Sequence, residues 1–256
     1  MSMQNAPICW LGGKSKLRKT IIKKIPEHVC YVEVFGGAGW VLLGKEPSHV
    51  EVYNDVEGDL TNFFRVIKNA YRAFLQQFEW VLVNRRTFKE FLTQNPKNLN
   101  EIQQAVRFYY LVKAGFGGRW DSPTFGYSKT SKPGLNLESL NETIFAVHKR
   151  LRRVIIEEGS FQDTIKRYDG ERTVFYLDPP YYGTTGYSHR MEPDDYTALG
   201  KVLGGIRGRF ILTINNCETM RTLFRNYRTE RVEVSYSIAK NAKSRRKYGE
   251  LIVRNW

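Results

Sequence analysis

The sequence predicts an α/β fold in which one sheet-based domain is interrupted by a mostly helical block. Three observations carry that prediction. Residues 31–43 and 50–55 read as strand, glycine turn, helix and a second strand ending in acids, which is a βαβ beginning. Residues 174–177, Val-Phe-Tyr-Leu, form an apolar, β-prone run that stops at Asp178-Pro179-Pro180-Tyr181-Tyr182. Between these units, within 57–95, Leu60, Phe63, Phe64, Ile67, Tyr71, Phe74, Leu75 and Phe78 recur at spacings of three and four, as on one face of a helix.

The remaining elements follow in order. Residues 101–113 make a second helix of the block, 114–136 a loop rich in Gly, Ser, Pro and aromatics, and 138–152 a helix leading into strand 153–157. After strand 173–177, the pattern gives helix 193–206, strand 209–214, a short helix 218–226 and closing strands 230–236 and 250–255 around a basic loop. No repeat or low-complexity segment is visible. The sheet domain is therefore expected over 1–58 and 153–256, with 59–152 as the insertion.

The 256 residues suit one large domain or a domain with a sizeable insertion, and 41% apolar content permits a packed core. No apolar run approaches the roughly 18 residues of a membrane span, and the N-terminus lacks a signal-peptide apolar stretch. Cys9, Cys30 and Cys217 fit neither a disulfide framework nor a metal cluster, and the four histidines lack ligand spacing. A monomer in a reducing cytoplasm is expected, with no metal and no membrane. A net charge of +14, from 40 Lys and Arg against 26 Asp and Glu, points to a polyanionic partner, nucleic acid first.

Two prolines in succession cannot extend a central strand, because neither donates to the ladder. Asp178 thus ends a strand on the side where open α/β sheets bind ligands. A carboxylate, a prolyl carbonyl and a tyrosine ring suit a planar amine; a plain tight turn after a strand reads the same way at this point.

Phe35-Gly36-Gly37-Ala38-Gly39 lets the backbone approach a ligand closely. Asp55 follows at about the twenty-residue spacing at which a carboxylate meets ribose hydroxyls. The last glycine of the dinucleotide fingerprint is missing, since Gly39 is followed by Trp40, Val41 and Leu42, so a nucleoside without a pyrophosphate fits best. Upstream, Gly13-Lys14-Ser15 resembles the end of a phosphate loop, but the required earlier glycine is Ile8 and the match fails. Trp10 can cover an adenine ring, and Lys14 can meet a carboxylate.

Trp-Leu-Gly-Gly-Lys at 10–14, Glu-Val-Phe-Gly-Gly-Ala-Gly at 33–39 with Asp55 beyond, and Asp-Pro-Pro-Tyr at 178–181 stand in one order. Together they resemble the Dam-type (D12 class) DNA adenine N6-methyltransferases over nearly the whole chain. The resemblance implies a Rossmann-like sheet that binds S-adenosyl-L-methionine, with a helical target-recognition insertion. It implies that Trp10, Lys14, Phe35, Gly37 and Gly39 line the cofactor pocket, that Asp55 holds the ribose and that Asp163 meets the cofactor's adenine. Asp178, Pro179, Pro180 and Tyr181 would form the catalytic turn, with Asp178 also bordering the cofactor.

The chemistry is consistent with that implication. The lone pair of an exocyclic adenine amine is delocalised into the ring. Acceptors at Asp178 and the Pro179 carbonyl favour a pyramidal, more nucleophilic nitrogen, while Tyr181 stacks on the flipped base. Positioning and electrostatics supply the acceleration, without a metal or covalent nucleophile.

Lys240, Lys243, Arg245, Arg246 and Lys247 form a basic loop between strands, read as a phosphate-contacting hairpin. Family members commonly show Asn-Arg-x-Gly-Phe/Tyr-Asn-Gly where this chain has Lys113-Ala114-Gly115-Phe116-Gly117-Gly118-Arg119. The loop from Trp120 to Lys132 is also shorter than the usual recognition hairpin. Arg119, Trp120, Tyr127, Lys129 and Lys132 remain candidate DNA contacts, though Trp120 and Phe125 equally suit a small satellite core. These departures predict a target that differs from GATC or is relaxed, as a phage or mobile-element enzyme would tolerate. The alternatives are an RNA adenine or DNA cytosine-N4 methyltransferase, a catalytically silent DNA-binding module and, more distantly, a dinucleotide oxidoreductase.

Overall fold

A computed structural model describes residues 4–10, 12–127, 130, 134–184, 189–235 and 247–256. Lys129, Lys132, Lys240, Lys243, Arg245 and Arg246 lie outside the described residues, as does the side chain of Lys247.

The strands are β1 (Cys30–Glu33), β2 (Val50–Asp55), β3 (Val154–Glu158), β4 (Thr173–Leu177), β5 (Arg209–Asn215), β6 (Arg228–Ser235) and β7 (Lys247–Arg254). They form one sheet in the order β3-β2-β1-β4-β5-β7-β6. The β1–β2, β2–β3, β1–β4 and β4–β5 pairs are parallel, and only β7 runs against its neighbours. This is the doubly wound order 3-2-1-4-5-6 with one reversed strand inserted before the last. The strand order reverses between β1 and β4, so their carboxyl ends open the crevice where such sheets bind ligands.

The helices are α1 (Arg18–Ile22), α2 (Trp40–Gly44), α3 (Gly58–Gln76), α4 (Arg85–Thr93), α5 (Glu101–Ala114), α6 (Leu140–Leu151), α7 (Phe161–Tyr168), α8 (Pro193–Gly204) and α9 (Glu218–Leu223). Every residue of β4 is buried, as expected of a central parallel strand covered on both faces. Its alternate side chains feed two cores. Tyr176 joins Tyr31, Tyr53 and Ile211 beneath Phe63 and Phe64 of α3 and Phe108 of α5. Phe175 and Leu177 join Val32, Phe210 and Leu212 beneath Ile165 of α7, Leu199 of α8 and Met220 of α9. The helical block and the sheet therefore share one continuous core, because α3 lies directly on the sheet.

Residues 57–95 do not form one helical run. α3 ends at Gln76 and α4 begins at Arg85, where the Asn84 side chain accepts the Thr87 N–H at 2.8 Å. The Tyr110 hydroxyl fastens the intervening turn, donating to the Leu82 carbonyl at 2.9 Å. The polar helix α7, capped by Ser160, and the short helix α1 carry too little apolar periodicity to be read from sequence.

Arg150 of α6 ties the helical block to the glycine turn's helix. It donates to the Leu42 carbonyl of α2 at 2.6 Å and to both carboxylate oxygens of Glu51 at 2.5 and 2.8 Å. Lys45 meets the same carboxylate at 2.5 Å, so a buried anion sits between two cations instead of alone.

Candidate active site

The glycine turn is held by contacts that only small residues permit. A Cβ on Gly36 would run into the Tyr53 ring, and Gly37 and Gly39 adopt φ of +50° and +70°. Asp55, ending β2, accepts the Gly37 N–H on Oδ2 at 2.8 Å and the Glu57 N–H on Oδ1 at 2.9 Å. Burial pushes its carboxyl up from the ordinary aspartate value and makes it a weaker acid, opposed by those two backbone donors. Asn54 beside it donates to the carbonyls of Val34 and Gly159 at 2.9 and 3.1 Å, joining the ends of β1 and β3.

Glu33, at the end of β1, is 2% exposed. Its Oε2 accepts from the Tyr31 hydroxyl at 2.9 Å and the Leu42 N–H at 2.7 Å. Burial pushes its carboxyl up to about 8, against the pull of those donors, so it is largely neutral at neutral pH.

The turn after β4 is gripped from three sides. Lys14, itself buried, places Nζ 2.6 Å from Asp178 Oδ1 and donates to the Gly12 carbonyl at 2.9 Å. Its ammonium also stands 4.7 Å from the Tyr181 ring centre. Thr213 of β5 donates to the same Oδ1 at 2.9 Å. Two positions on, Asn215 brackets Tyr182, accepting its N–H at 2.9 Å and donating to its carbonyl at 3.0 Å. The Tyr196 hydroxyl of α8 donates to the Pro180 carbonyl at 2.7 Å. Asp178 keeps 17% of its side chain exposed. Desolvation raises its carboxyl to about 6; Lys14 and Thr213 pull it down, and Glu250 on β7 pushes it further up.

One cavity of about 300 Å³ joins these parts. Trp10, Lys14, Phe35, Gly37, Gly39 and Asp55 line it, as do Asp178, Pro179 and Pro180. Its volume lies at the small end of roughly 300–1,000 Å³ for small-molecule sites. An aromatic wall, a glycine cradle and carboxylates with few phosphate-binding donors fit a nucleoside with an amino-acid tail. Tyr181 lies beside the cavity, over Lys14. Asp163 does not line the cavity: it is exposed and accepts from the Ser160 hydroxyl at 2.7 Å at the start of α7. Gly159, Ser160, Phe161 and Gln162 line that end instead.

The candidate reading surface divides. Trp120 packs edge-on against Phe108 at 4.8 Å, with the Arg107 guanidinium 5.6 Å from its ring, so it belongs to the satellite core. Arg119 is exposed and its Nε lies 3.5 Å from Asp121 Oδ1. Tyr127 is 74% exposed, and the Arg85 guanidinium lies 5.2 Å from its ring and 5.4 Å from that of Phe125. Sequence reasoning passed over Arg85, Glu33, Tyr196, Thr213 and Asn215. Only the Asn84-Arg85-Arg86 helix start offered a signal, as two adjacent cations at a helix cap.

A doubly wound sheet with a cavity of about 300 Å³ at its switch point, beside an acceptor-rich turn, is the architecture of an α/β enzyme with a small-molecule site. The model of the D12 class N6 adenine-specific DNA methyltransferases matches residues 10–238, and the chain belongs to that family. It is similar to the DNA adenine methylase of Vibrio cholerae, 27% identical over 98% of this chain and 96% of that one. The DNA adenine methylase of Escherichia coli K12 is 26% identical, covering 98% and 95% of the two chains. A type II methyltransferase of Lactococcus lactis subsp. cremoris is 24% identical over 96% and 94%. The protein is thus a DNA adenine methyltransferase whose methyl donor is S-adenosylmethionine and whose substrate is DNA. Among the described residues no cluster suits a metal ion, and no helix is long and apolar enough to cross a membrane.

Proposed function

We propose that the Asp178 turn binds the exocyclic amine of an adenine flipped out of duplex DNA, with Asp178 Oδ2 and the Pro179 carbonyl accepting its two hydrogens. The observation that carries this reading is the loading of Asp178. Lys14 and Thr213 both engage Oδ1, at 2.6 and 2.9 Å, and Oδ2 has no partner among the described residues. Tyr196 takes the Pro180 carbonyl, which directs the amine to that of Pro179. Tyr181 stacks on the base, and the Lys14 ammonium behind it offsets the charge of the buried carboxylate.

The chemistry drawn from the cofactor is a methyl group on a positively charged sulfur. Trp10 would cover its adenine side; Phe35, Gly37 and Gly39 would let the backbone approach it, and Asp55, already oriented by the Gly37 and Glu57 N–H groups, would accept from its ribose. The chain's own work is to align amine and methyl and to exclude water. Residues 59–152 form the target-recognition part, with Arg85, Arg119 and Tyr127 facing DNA, and the basic run of Arg245, Arg246 and Lys247, the last of them opening β7, meets phosphates. The enzyme acts as a cytoplasmic monomer, either site-specific or of relaxed specificity.

The test is transfer of a labelled methyl group to unmethylated duplex DNA, with the product nucleoside identified. N6-methyladenine is expected, and its sequence context follows from mapping the modified adenines. Recovery of N4-methylcytosine, or transfer to RNA alone, would replace the reading.

A further inference from the structure

We propose that Thr213 is a positioning residue of the methyl-transfer step: backed by Tyr176, its hydroxyl fixes the rotation of Asp178 so that Oδ2 faces the target amine. The proposal rests on the reading of Asp178 above and adds the element that orients it.

A threonine hydroxyl carries one proton. Three oxygens lie within reach of Thr213 Oγ1: Asp178 Oδ1 at 2.9 Å, the Tyr176 hydroxyl at 3.1 Å and the Leu177 carbonyl at 3.3 Å. The carboxylate is the strongest acceptor and the nearest, so the proton goes there. Tyr176 then donates to Thr213. Its phenol is pushed well above the ordinary range, chiefly by burial and then by the Asp178 charge, so it remains a neutral donor. The result is a directed chain, Tyr176 to Thr213 to Asp178, in which each bond polarises the next.

Lys14 cannot do this work alone. An ammonium is a compact charge on a flexible stem with three rotatable donors, and it lowers the energy of the carboxylate with little preference for rotation. Thr213 is fully buried in β5, which pairs with β4 through Val174↔Arg209 to Leu177↔Leu212. Its β-branched side chain is stiff, so its hydroxyl arrives from a fixed direction. Both donors load Oδ1, and only the threonine sets the plane of the group. Glu33 on β1, Tyr176 on β4, Glu250 on β7 and Lys14 are the ionisable groups whose charges act around this pair.

Thr213→Val keeps the shape and removes the donor, and Thr213→Ser keeps the donor. Both are compared with the full-length enzyme for kcat and KM on unmethylated duplex DNA from about pH 5 to about pH 9. The Asp178 carboxyl is titrated in parallel by carbon NMR without DNA, its signal assigned by its loss in Asp178→Asn. Thr213→Val is expected to lower kcat roughly tenfold to hundredfold with KM for DNA unchanged. It should also raise the Asp178 titration above about 6, because a donor that pulls it down is gone. Thr213→Ser should restore both. A valine variant with wild-type kcat and titration overturns the proposal. So does a loss of kcat that serine fails to rescue, or one accompanied by an unmoved titration, since either assigns Thr213 to packing. A wild-type enzyme that makes no N6-methyladenine instead overturns the reading of Asp178, while the titration still reports whether Thr213 holds that carboxylate.

Discussion

The proposed catalytic turn at 178–182, rich in Pro and Tyr, and the proposed reading loop at 115–127, rich in Gly and aromatics, are built in opposite ways. The catalytic turn is fastened by Lys14, Thr213, Asn215 and Tyr196, which arrive from the N-terminal loop, a central strand and a helix. The reading loop is closed mainly on itself and on the end of α5, through the Gly115–Phe125 bridge and bonds from Phe116 N–H to the Thr124 carbonyl and from Gly126 N–H to the Ala114 carbonyl. One region holds atoms in a single geometry because transfer needs alignment. The other anchors its apolar side through Phe125 on Phe88 and leaves Tyr127 and Arg85 outward. In the proposed reading, chemistry is over-determined, while target choice is left to a few exposed side chains that can change without disturbing the fold.

That contrast breaks first at Asp178. Replacing it by alanine should reduce methyl transfer by at least about a thousandfold, with DNA binding retained in a filter or anisotropy assay. Preserved turnover would remove the carboxylate from the mechanism. Lys14→Met comes next: it leaves Asp178 without its cation, so the carboxyl should rise above about 6 and activity at neutral pH should fall by roughly a hundredfold.

In the wild type the same group should set the acid limb. Asp178 is a strong, charge-assisted acceptor only when ionised, and its carboxyl is pushed up to about 6, so kcat should climb with pH through that value and fall about tenfold per unit well below it. A flat profile from about pH 5 to about pH 8 would detach the limb from Asp178. The reading loop should respond differently. Arg85→Ala and Tyr127→Ala should leave transfer at a preferred site within a few-fold, but shift the spectrum of methylated sequences. The shift should correspond to about 1–3 kcal/mol of discrimination if a base edge is read. An equal loss across all sequences would make Arg85 a phosphate contact.

The smallest effect at neutral pH is expected at Glu33. Its carboxyl is about 8 in the fold, against an ordinary 4.5, so the native state keeps a proton that the unfolded chain has released. Its contribution to stability is full below about 4.5 and erodes as pH rises towards 8. Glu33→Gln stays neutral throughout. Its melting temperature relative to wild type should therefore climb across that window, with kcat near pH 7 little changed.

Much of the site was legible because its parts are local. A strand that stops at two prolines puts Asp178 at a strand end, and glycines followed by an acid about twenty residues on mark the turn that lines the cavity. The helical block was legible as apolar periodicity, although the break between Gln76 and Arg85 was not, because Trp80, Val81 and Leu82 keep the segment apolar through the turn. Trp120 shows the limit of composition. A tryptophan in a basic, aromatic loop suits base stacking, and only its contact with Phe108 reveals it as packing.

By itself the sequence determined the α/β plan and singled out the glycine turn and Asp178 as the candidate site, since each is written in residues adjacent along the chain. Tertiary structure alone decided which oxygen of Asp178 is left for substrate. Lys14, Tyr176, Thr213 and Asn215 come from three separate segments that converge only when β4 and β5 pair and the N-terminal loop folds over their ends. Tertiary structure likewise brought Arg85 to Tyr127, 42 positions away in the chain. Periodicity and motif spacing report neighbours in sequence, whereas a carboxylate's rotation and a cation's ring partner are set by neighbours in space.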